Sequence, residues 1–293
     1  MASTEEKVKE SISDLKEWLE QPNKKEDEYQ RRLDEIKVEL TDYEKVRKSI
    51  RLPFEYLDNW FSSNFIYELL TKEYTTYKIV ACANGYQNIV LADKLTELYP
   101  GNPPKLPFDK TMYWLANCLS VKWYLESETL LDIINKGLST KLLNGGLEIK
   151  PASWFILEIA NRGYQKDINL NQFNYPENIG VYQEAINHWD TVDLEKLDQL
   201  VSILCDYHLE QASYGDLNET AGKNDPIFLQ FSNAKWFVYV FEILSWLSIR
   251  EKNGLINPEQ FNHPLMNLKL NSLESANDKI PVNDLFNTVL NRL

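Results

Sequence analysis

Few side chains in this sequence have the types and spacing that catalysis requires. The histidines, His188, His208 and His263, stand in no HExxH or Glu-x-x-His pattern, and the sequence contains no GxSxG, Walker or Rossmann motif. Cys205 precedes His208 by three residues, about one helical turn, so an imidazole could activate this thiol. Packing of both side chains in a core is the alternative, because thiol catalysis needs a special geometry. The motifs therefore predict no enzyme, no cofactor and no metal site.

The cysteines and the first residues indicate a compartment. Cys82, Cys118 and Cys205 are far apart, odd in number and without metal-ligand spacing, which is typical of reduced core residues in a cytosolic protein. The opening residues, MASTEEKVKE, contain no apolar run, and no later segment is long enough to span a bilayer. We therefore expect a cytoplasmic protein with neither a secretory signal nor a membrane partner.

One ionisable side chain stands in the most apolar stretch of the chain. Residues 236–249 read WFVYVFEILSWLSI, apolar on every face of a helix and closed at the ends by Lys235 and Arg250. Such a helix lies in the middle of a bundle, and we predict it to run over about 226–251. Within it, the carboxylate of Glu242 is costly unless a donor meets it. Glu242 is therefore either a structural acid with a buried partner or a functional carboxylate that faces a groove.

The remaining elements are also predicted to be helices. Ten glycines and twelve prolines are few for 293 residues, which argues against an all-β fold with many turns. Apolar residues recur at helical spacing, and the sequence predicts an all-α, multi-helix bundle of roughly ten to twelve helices. The other helices are predicted over 4–20, 24–50, 53–72, 74–99, 109–124, 127–137, 151–163, 181–189, 193–214 and 283–292.

A proline-rich run divides the chain into two parts. Residues 100–107, PGNPPKLP, cannot continue a helix and predict an extended connection. We therefore expect an N-terminal helical part over 1–102, a charged hairpin plus a helix pair, packed on a larger C-terminal helical part over 108–293. Asp109, directly after the run, has a side chain suited to capping a helix. The lone Gly85 either permits close packing of its helix or interrupts it.

The formal charge of −13 is concentrated in one segment. Residues 151–220 hold twelve acids and three bases, a net charge of −9, whereas residues 221–293 hold seven of each. An acidic field repels nucleic acid and attracts a basic protein; a surface that only confers solubility is the alternative. We predict a partner-binding face formed by Asp190, Asp193, Glu195, Asp198, Asp206, Glu210, Asp216 and Glu219.

Four stretches resemble one family. The helix KWFVYVFEILSWLSI with its central acid, followed by HPLMNLKL, is similar to the C-terminal half of PoNi-type immunity proteins. Upstream, YWLANCLSVKWYLESETLLDIIN and LDQLVSILCDYHLEQASYGDL resemble the family's preceding helices, and ANGYQNIVLADKLTELYP resembles its N-terminal part. The chain looks like a divergent member, since Ile243 and Leu244 stand where the family has small residues. The resemblance implies an all-α cytoplasmic antitoxin that binds a secreted DNase toxin, a basic protein, and blocks its active site.

Two other classes of function stay open. A helical adaptor or scaffold that binds a partner helix or peptide predicts a contiguous exposed apolar patch. An enzyme with an unrecognised helical active site predicts a deep pocket in which Glu242, or His208 with Cys205, has convergent polar partners. The resemblance assigns Glu242 the role of a structural acid, and the sequence does not decide whether the protein forms a homodimer.

Overall fold

The computed structural model describes residues 3–24, 26–42, 47–140, 142–144, 150–213, 229–273, 280–281 and 283–293. Within these ranges the chain is all-α, as its periodicity predicts, with eleven α-helices. In chain order these are α1 (Thr4–Glu20), α2 (Glu26–Asp42), α3 (Arg51–Thr71), α4 (Lys78–Leu98), α5 (Phe108–Ser120), α6 (Tyr124–Leu138), α7 (Pro151–Gly163), α8 (Tyr182–Asn187), α9 (Leu194–Gln211), α10 (Phe241–Lys252) and α11 (Asp284–Arg292). The sheet of the described ranges is a parallel pair of two-residue strands, β1 (Leu106–Pro107) and β2 (Leu143–Asn144).

Local signals account for several helix starts. Ser3 Oγ accepts from the Glu6 N–H at 3.2 Å, and the Glu6 carboxylate accepts from the Ser3 N–H at 2.7 Å, so the two residues form a capping box at α1. Pro151 is the first residue of α7, where a missing N–H removes no helical bond. The prediction that Asp109 caps α5 is wrong, because α5 begins one residue earlier. Asp109 instead forms an ion pair with Lys150 at 3.1 Å.

Helices α3, α4, α5, α7 and α10 pack together at the centre of the molecule. Helix α4 continues through Gly85 without a break, and a Cβ at this position would lie 2.6 Å from Cδ1 of Trp114 on α5. Gly163, at the end of α7, allows an equally close approach, since a Cβ there would lie 2.3 Å from Cγ2 of Ile249 on α10. Buried residues on both sides of 100–107 belong to one cluster. The division into 1–102 and 108–293 stays a prediction.

The central helix is shorter than the sequence predicts. Of the predicted range 226–251, residues 226–228 lie outside the described residues; in the rest, α10 begins only at Phe241, and a single 3-10 turn at Ala234–Trp236 precedes it. The Asn271 side chain explains the late start, because it accepts from the Val240 N–H at 3.1 Å and donates to the Val238 carbonyl at 2.8 Å. These backbone groups therefore bond to an amide rather than to a helical turn. From Phe241 to Arg250 every residue is buried, which confirms a helix enclosed on all sides.

The second predicted helix is also shorter. Helix α2 ends at Asp42, and residues 43–46 lie outside the described ranges. Residues 48–50 form a 3-10 turn that leads directly into α3. A single helix over 24–50 is therefore wrong. The predicted helix over 109–124 is likewise divided, because the positive φ of 60° at Lys122 separates α5 from α6.

Candidate functional site

Glu242 has a buried structural partner. Its Oε1 lies 2.8 Å from Nδ1 of His208, and both side chains are fully buried. Nε2 of the same imidazole lies 2.7 Å from the Trp236 carbonyl, so Nε2 carries a hydrogen and donates it. The ring of Phe231 stacks on His208 at 3.8 Å between centroids. Oε1 of Glu242 is therefore paired with His208, whereas its Oε2 is buried without a hydrogen-bond partner among the described residues.

The spacing of Cys205 and His208 does not produce an activated thiol. Both ring nitrogens of His208 are engaged elsewhere, Nδ1 with the Glu242 carboxyl group and Nε2 with the Trp236 carbonyl. Cys205 is buried, and this burial, with a smaller contribution from the Glu242 charge, raises the pKa of its thiol well above the usual value. A thiol held in its neutral form is a poor nucleophile. Core packing is therefore the better interpretation of this pair.

Helix α9 is positioned by its apolar side. Asp193 stands at its N-cap and accepts from the N–H groups of Glu195 (3.0 Å) and Lys196 (3.1 Å), which is the role its place at the helix start predicts. The apolar stripe of the helix is buried against the bundle, together with His208. The buried residues of α9 are Leu197, Leu200, Val201, Leu204, Cys205, His208 and Leu209.

Three of the predicted carboxylates share the outer face of α9. Glu195, Asp206 and Glu210 are exposed. Their spacing of eleven and four residues places them within about 60° of arc around the helix, because each residue turns it by about 100°. Glu195 and Glu210 form no side-chain hydrogen bond or ion pair with the described residues, and Asp206 contacts only Nε2 of His263, at 3.3 Å. We call Glu195, Asp206 and Glu210 the α9 acidic face.

The other predicted carboxylates lie elsewhere. Asp198 is half-buried and accepts from the backbone N–H (2.9 Å) and the side-chain amide (2.6 Å) of Asn262, so it holds a neighbouring loop. Asp193 is engaged as the helix cap, and Asp190 is exposed in the loop before it. Asp216 and Glu219 lie outside the described residues. The structure thus assigns two of the eight carboxylates to structural contacts and brings three together on one face.

The segment that carries this face contains few basic residues. Residues 181–213 contain seven acids and one base, a net charge of −6. That base, Lys196, directs its Nζ to Glu184 at 2.9 Å rather than to a carboxylate of the α9 acidic face. His188 also pairs with Glu184, at 3.2 Å. The acidic face is therefore left largely without neutralising partners among the described residues, and it can attract positive charge.

Sequence reasoning missed a structural arginine beside this face. The sequence predicts that Arg250 closes an apolar helix at its end, yet the residue is fully buried. Its guanidinium donates to the carbonyls of Trp189 (2.9 Å), Thr191 (2.8 Å) and Ile256 (3.0 Å), and its Nε donates to the Asn257 side chain at 3.0 Å. Its place directly after WFVYVFEILSWLSI, at the end of a helix apolar on all sides, is the sequence signal that points to burial.

Comparison of the chain with known protein families, curated proteins and solved structures identifies no relative. No family model matches the chain, and neither a curated protein nor a solved structure matches it. In the part of the chain that the structure describes, no group of three or more His, Cys, Asp or Glu side chains is arranged to hold a metal ion. Among the same residues, no helix has both the length and the apolar character needed to cross a bilayer.

Proposed function

We propose that this protein is an immunity protein that binds a basic bacterial nuclease toxin through the α9 acidic face and blocks its active site. The observation that carries the proposal is the exposure of Glu195, Asp206 and Glu210 on one face of α9, with no lysine or arginine in contact with them among the described residues. The acids of the exposed α1 and α2 surface differ, because several of them are paired with bases one turn away, as Glu5 is with Lys9.

The chemistry of a nuclease explains why such a face would inhibit it. A nuclease must attract phosphate groups, so its cleft is lined with basic side chains. An acidic protein surface competes for the same cleft, and complementary charge speeds the encounter of the two proteins. Attraction to an acidic surface requires only that the partner be basic. The narrower assignment to a DNase toxin of the PoNe type rests on the resemblance of the α5, α9 and α10 stretches to PoNi-type immunity proteins.

A charge-reversal variant tests the proposal. The test variant combines Glu195→Lys, Asp206→Lys and Glu210→Lys, and the matched control combines Glu5→Lys, Glu20→Lys and Asp34→Lys on exposed positions of α1 and α2. Each reversal adds two positive charges, so both variants change the net charge by the same amount. The partner is the product of the neighbouring reading frame, and its nuclease activity is measured on plasmid DNA with and without this protein.

At low salt, the test variant should associate with the nuclease at least about tenfold more slowly than the natural protein, because electrostatic steering is lost. Its protection of the plasmid should weaken in parallel, while the control variant behaves as the natural protein does. Raising the salt concentration should slow association of the natural protein and leave the test variant little changed. Equal association rates for the two variants would reject the α9 acidic face as the binding surface.

One observation favours a second candidate, a helical adaptor. Val192 and Ile256 are 83% and 74% exposed, although aliphatic side chains are usually buried. An adaptor that binds a partner through apolar contacts would need such residues, whereas purely electrostatic inhibition would not. If binding to every partner tested survives high salt and the charge-reversal variant, the adaptor is the better interpretation.

A further inference from the structure

We infer that two loops joined by Arg250, residues 189–193 and 255–257, form a preorganised apolar anchor at the edge of the α9 acidic face. We call them the Arg250 loops. The inference deepens the proposed function, on which it depends for the sign of the partner's charge. It assigns to the partner a segment that combines lysine or arginine with an aliphatic or aromatic side chain.

The geometry brings two exposed aliphatic residues together. Nη2 of Arg250 donates both to the Thr191 carbonyl, at 2.8 Å, and to the Ile256 carbonyl, at 3.0 Å. The two carbonyl oxygens therefore lie no farther apart than the sum of these distances. Val192 follows Thr191 directly, so the backbone at Val192 lies close to that of Ile256, and both side chains are largely exposed. Leu194, also exposed, begins α9 beside them.

The core holds these loops rigidly. A buried guanidinium is costly unless its donors are satisfied, and burial lowers the pKa of Arg250. All of its hydrogen bonds go to neutral oxygens, and none goes to a carboxylate among the described residues. The Trp189 carbonyl accepts a second bond, from Nε1 of Trp246 at 2.9 Å. Because α10 supplies both donors, the loops are ordered before any partner arrives, which lowers the entropic cost of binding.

The surrounding charges identify the occupant. Asp190, Asp193 and Glu195 all lie within three residues of Val192. An apolar centre with a charged rim is the usual arrangement of a protein interface. A second copy of this chain would place acid against acid, and an anionic lipid surface would be repelled. The remaining occupant is a protein segment that combines lysine or arginine with an aliphatic or aromatic side chain.

Selection from a displayed library of random dodecapeptides tests the inference and does not require the natural partner. The full chain is immobilised, and peptides enriched on it are measured for affinity by fluorescence anisotropy. The anchor variant combines Val192→Ser and Ile256→Ser. Its matched control combines Leu52→Ser and Leu125→Ser, two exposed leucines on α3 and α6. The charge-reversal variant of α9 is measured beside them.

We expect enriched peptides to contain basic residues together with aliphatic or aromatic ones. They should bind the anchor variant at least tenfold more weakly than the natural protein and bind its control unchanged. Peptides that bind the anchor variant as well as the natural protein, or the absence of any enriched peptide, would overturn the inference. If peptide binding is lost only in the charge-reversal variant, the acidic face is supported as a binding surface and the anchor is rejected. If peptide binding is lost only in the anchor variant, the anchor is supported, and a basic nuclease is disfavoured as the partner.

A variant of Arg250 separates its positioning role from general stability. Arg250→Lys keeps the charge but cannot bridge two carbonyls with one planar group. Amide hydrogen exchange at 189–193 and 255–257 should become faster in this variant, with weaker peptide binding, whereas exchange in α3 and α4 should not change. The anchor variant should weaken binding with unchanged exchange at the Arg250 loops. Faster exchange throughout the chain of the arginine variant would instead indicate a merely structural role.

Discussion

The stability of this protein should depend on pH through one buried lysine. Lys235 belongs to the turn that precedes α10 and is buried against α3, where its Nζ donates to Oδ1 of Asn59 and Oγ of Ser62, each at 3.1 Å. Both acceptors are neutral, and no carboxylate of the described residues lies within ion-pairing distance. Burial lowers the pKa of Lys235 from its usual 10.5 to about 8, although the charge of Asp58 opposes this shift.

The sign of the effect follows from proton binding. Between pH 8 and 10.5 Lys235 of the native state has lost its proton while the unfolded state keeps it, so the free energy of unfolding rises with pH. Below pH 8 both states are protonated, and burying the charge costs on the order of 3 kcal/mol, since each unit between the two pKa values corresponds to about 1.4 kcal/mol. At pH 10 the remaining cost falls to about 1 kcal/mol.

Lys235→Met removes this ionisation and gives the assay. Urea unfolding of the natural protein and the variant at pH 7, 8, 9 and 10 yields the difference in unfolding free energy, in which the titration of tyrosines common to both proteins cancels. That difference should shift by about 2 kcal/mol in favour of the natural protein between pH 7 and pH 10. Lys16→Met, at an exposed position of α1, should show no such shift. A constant difference across this range would show that Lys235 keeps its proton and would refute the reasoning.

Two further predictions concern the core. Gly163→Ala should destabilise the protein by about 1–3 kcal/mol in urea unfolding, because the added Cβ would lie 2.3 Å from Ile249. Gly101→Ala is the control, since no heavy atom lies within 4 Å of the added carbon. Similar losses of stability in both variants would contradict close packing at Gly163. Glu242→Leu removes the acceptor oxygen and leaves Nδ1 of the buried His208 without its hydrogen-bond partner, so we expect a loss of about 1–3 kcal/mol. No measurable loss would contradict a structural role for this hydrogen bond.

Sequence reasoning succeeds where a local signal sets an element. Pro151 and Gly163 delimit α7, and Asp193 caps α9, so both helices begin where predicted. It fails for the start of α10, because the backbone groups of Val238 and Val240 form hydrogen bonds with the side-chain amide of Asn271, about thirty residues away. No local pattern could reveal that competition.

The candidate site was predictable to a similar extent. Helical periodicity predicts an outer face of α9 that holds Glu195, Asp198, Asp206 and Glu210. The structure exposes three of these carboxylates and leaves Asp198 half-buried. Periodicity does not show that Asp198 bonds to the loop at Asn262, since that partner comes from another part of the chain. The Arg250 loops escaped prediction for the same reason. Their acceptors come from two loops that lie on either side of α10 in sequence.

The length of the α9 acidic face limits the kind of partner it can hold. From Glu195 to Glu210 the helix rises by about 22 Å, at 1.5 Å per residue. This exceeds the Debye length of about 8 Å at physiological ionic strength, so the two end carboxylates act on a partner independently. A single lysine or a compact basic spot could satisfy only one end. The partner that neutralises the whole face must therefore carry its cations along a line of similar length. A groove that tracks the phosphates of a nucleic-acid backbone has that distribution of charge.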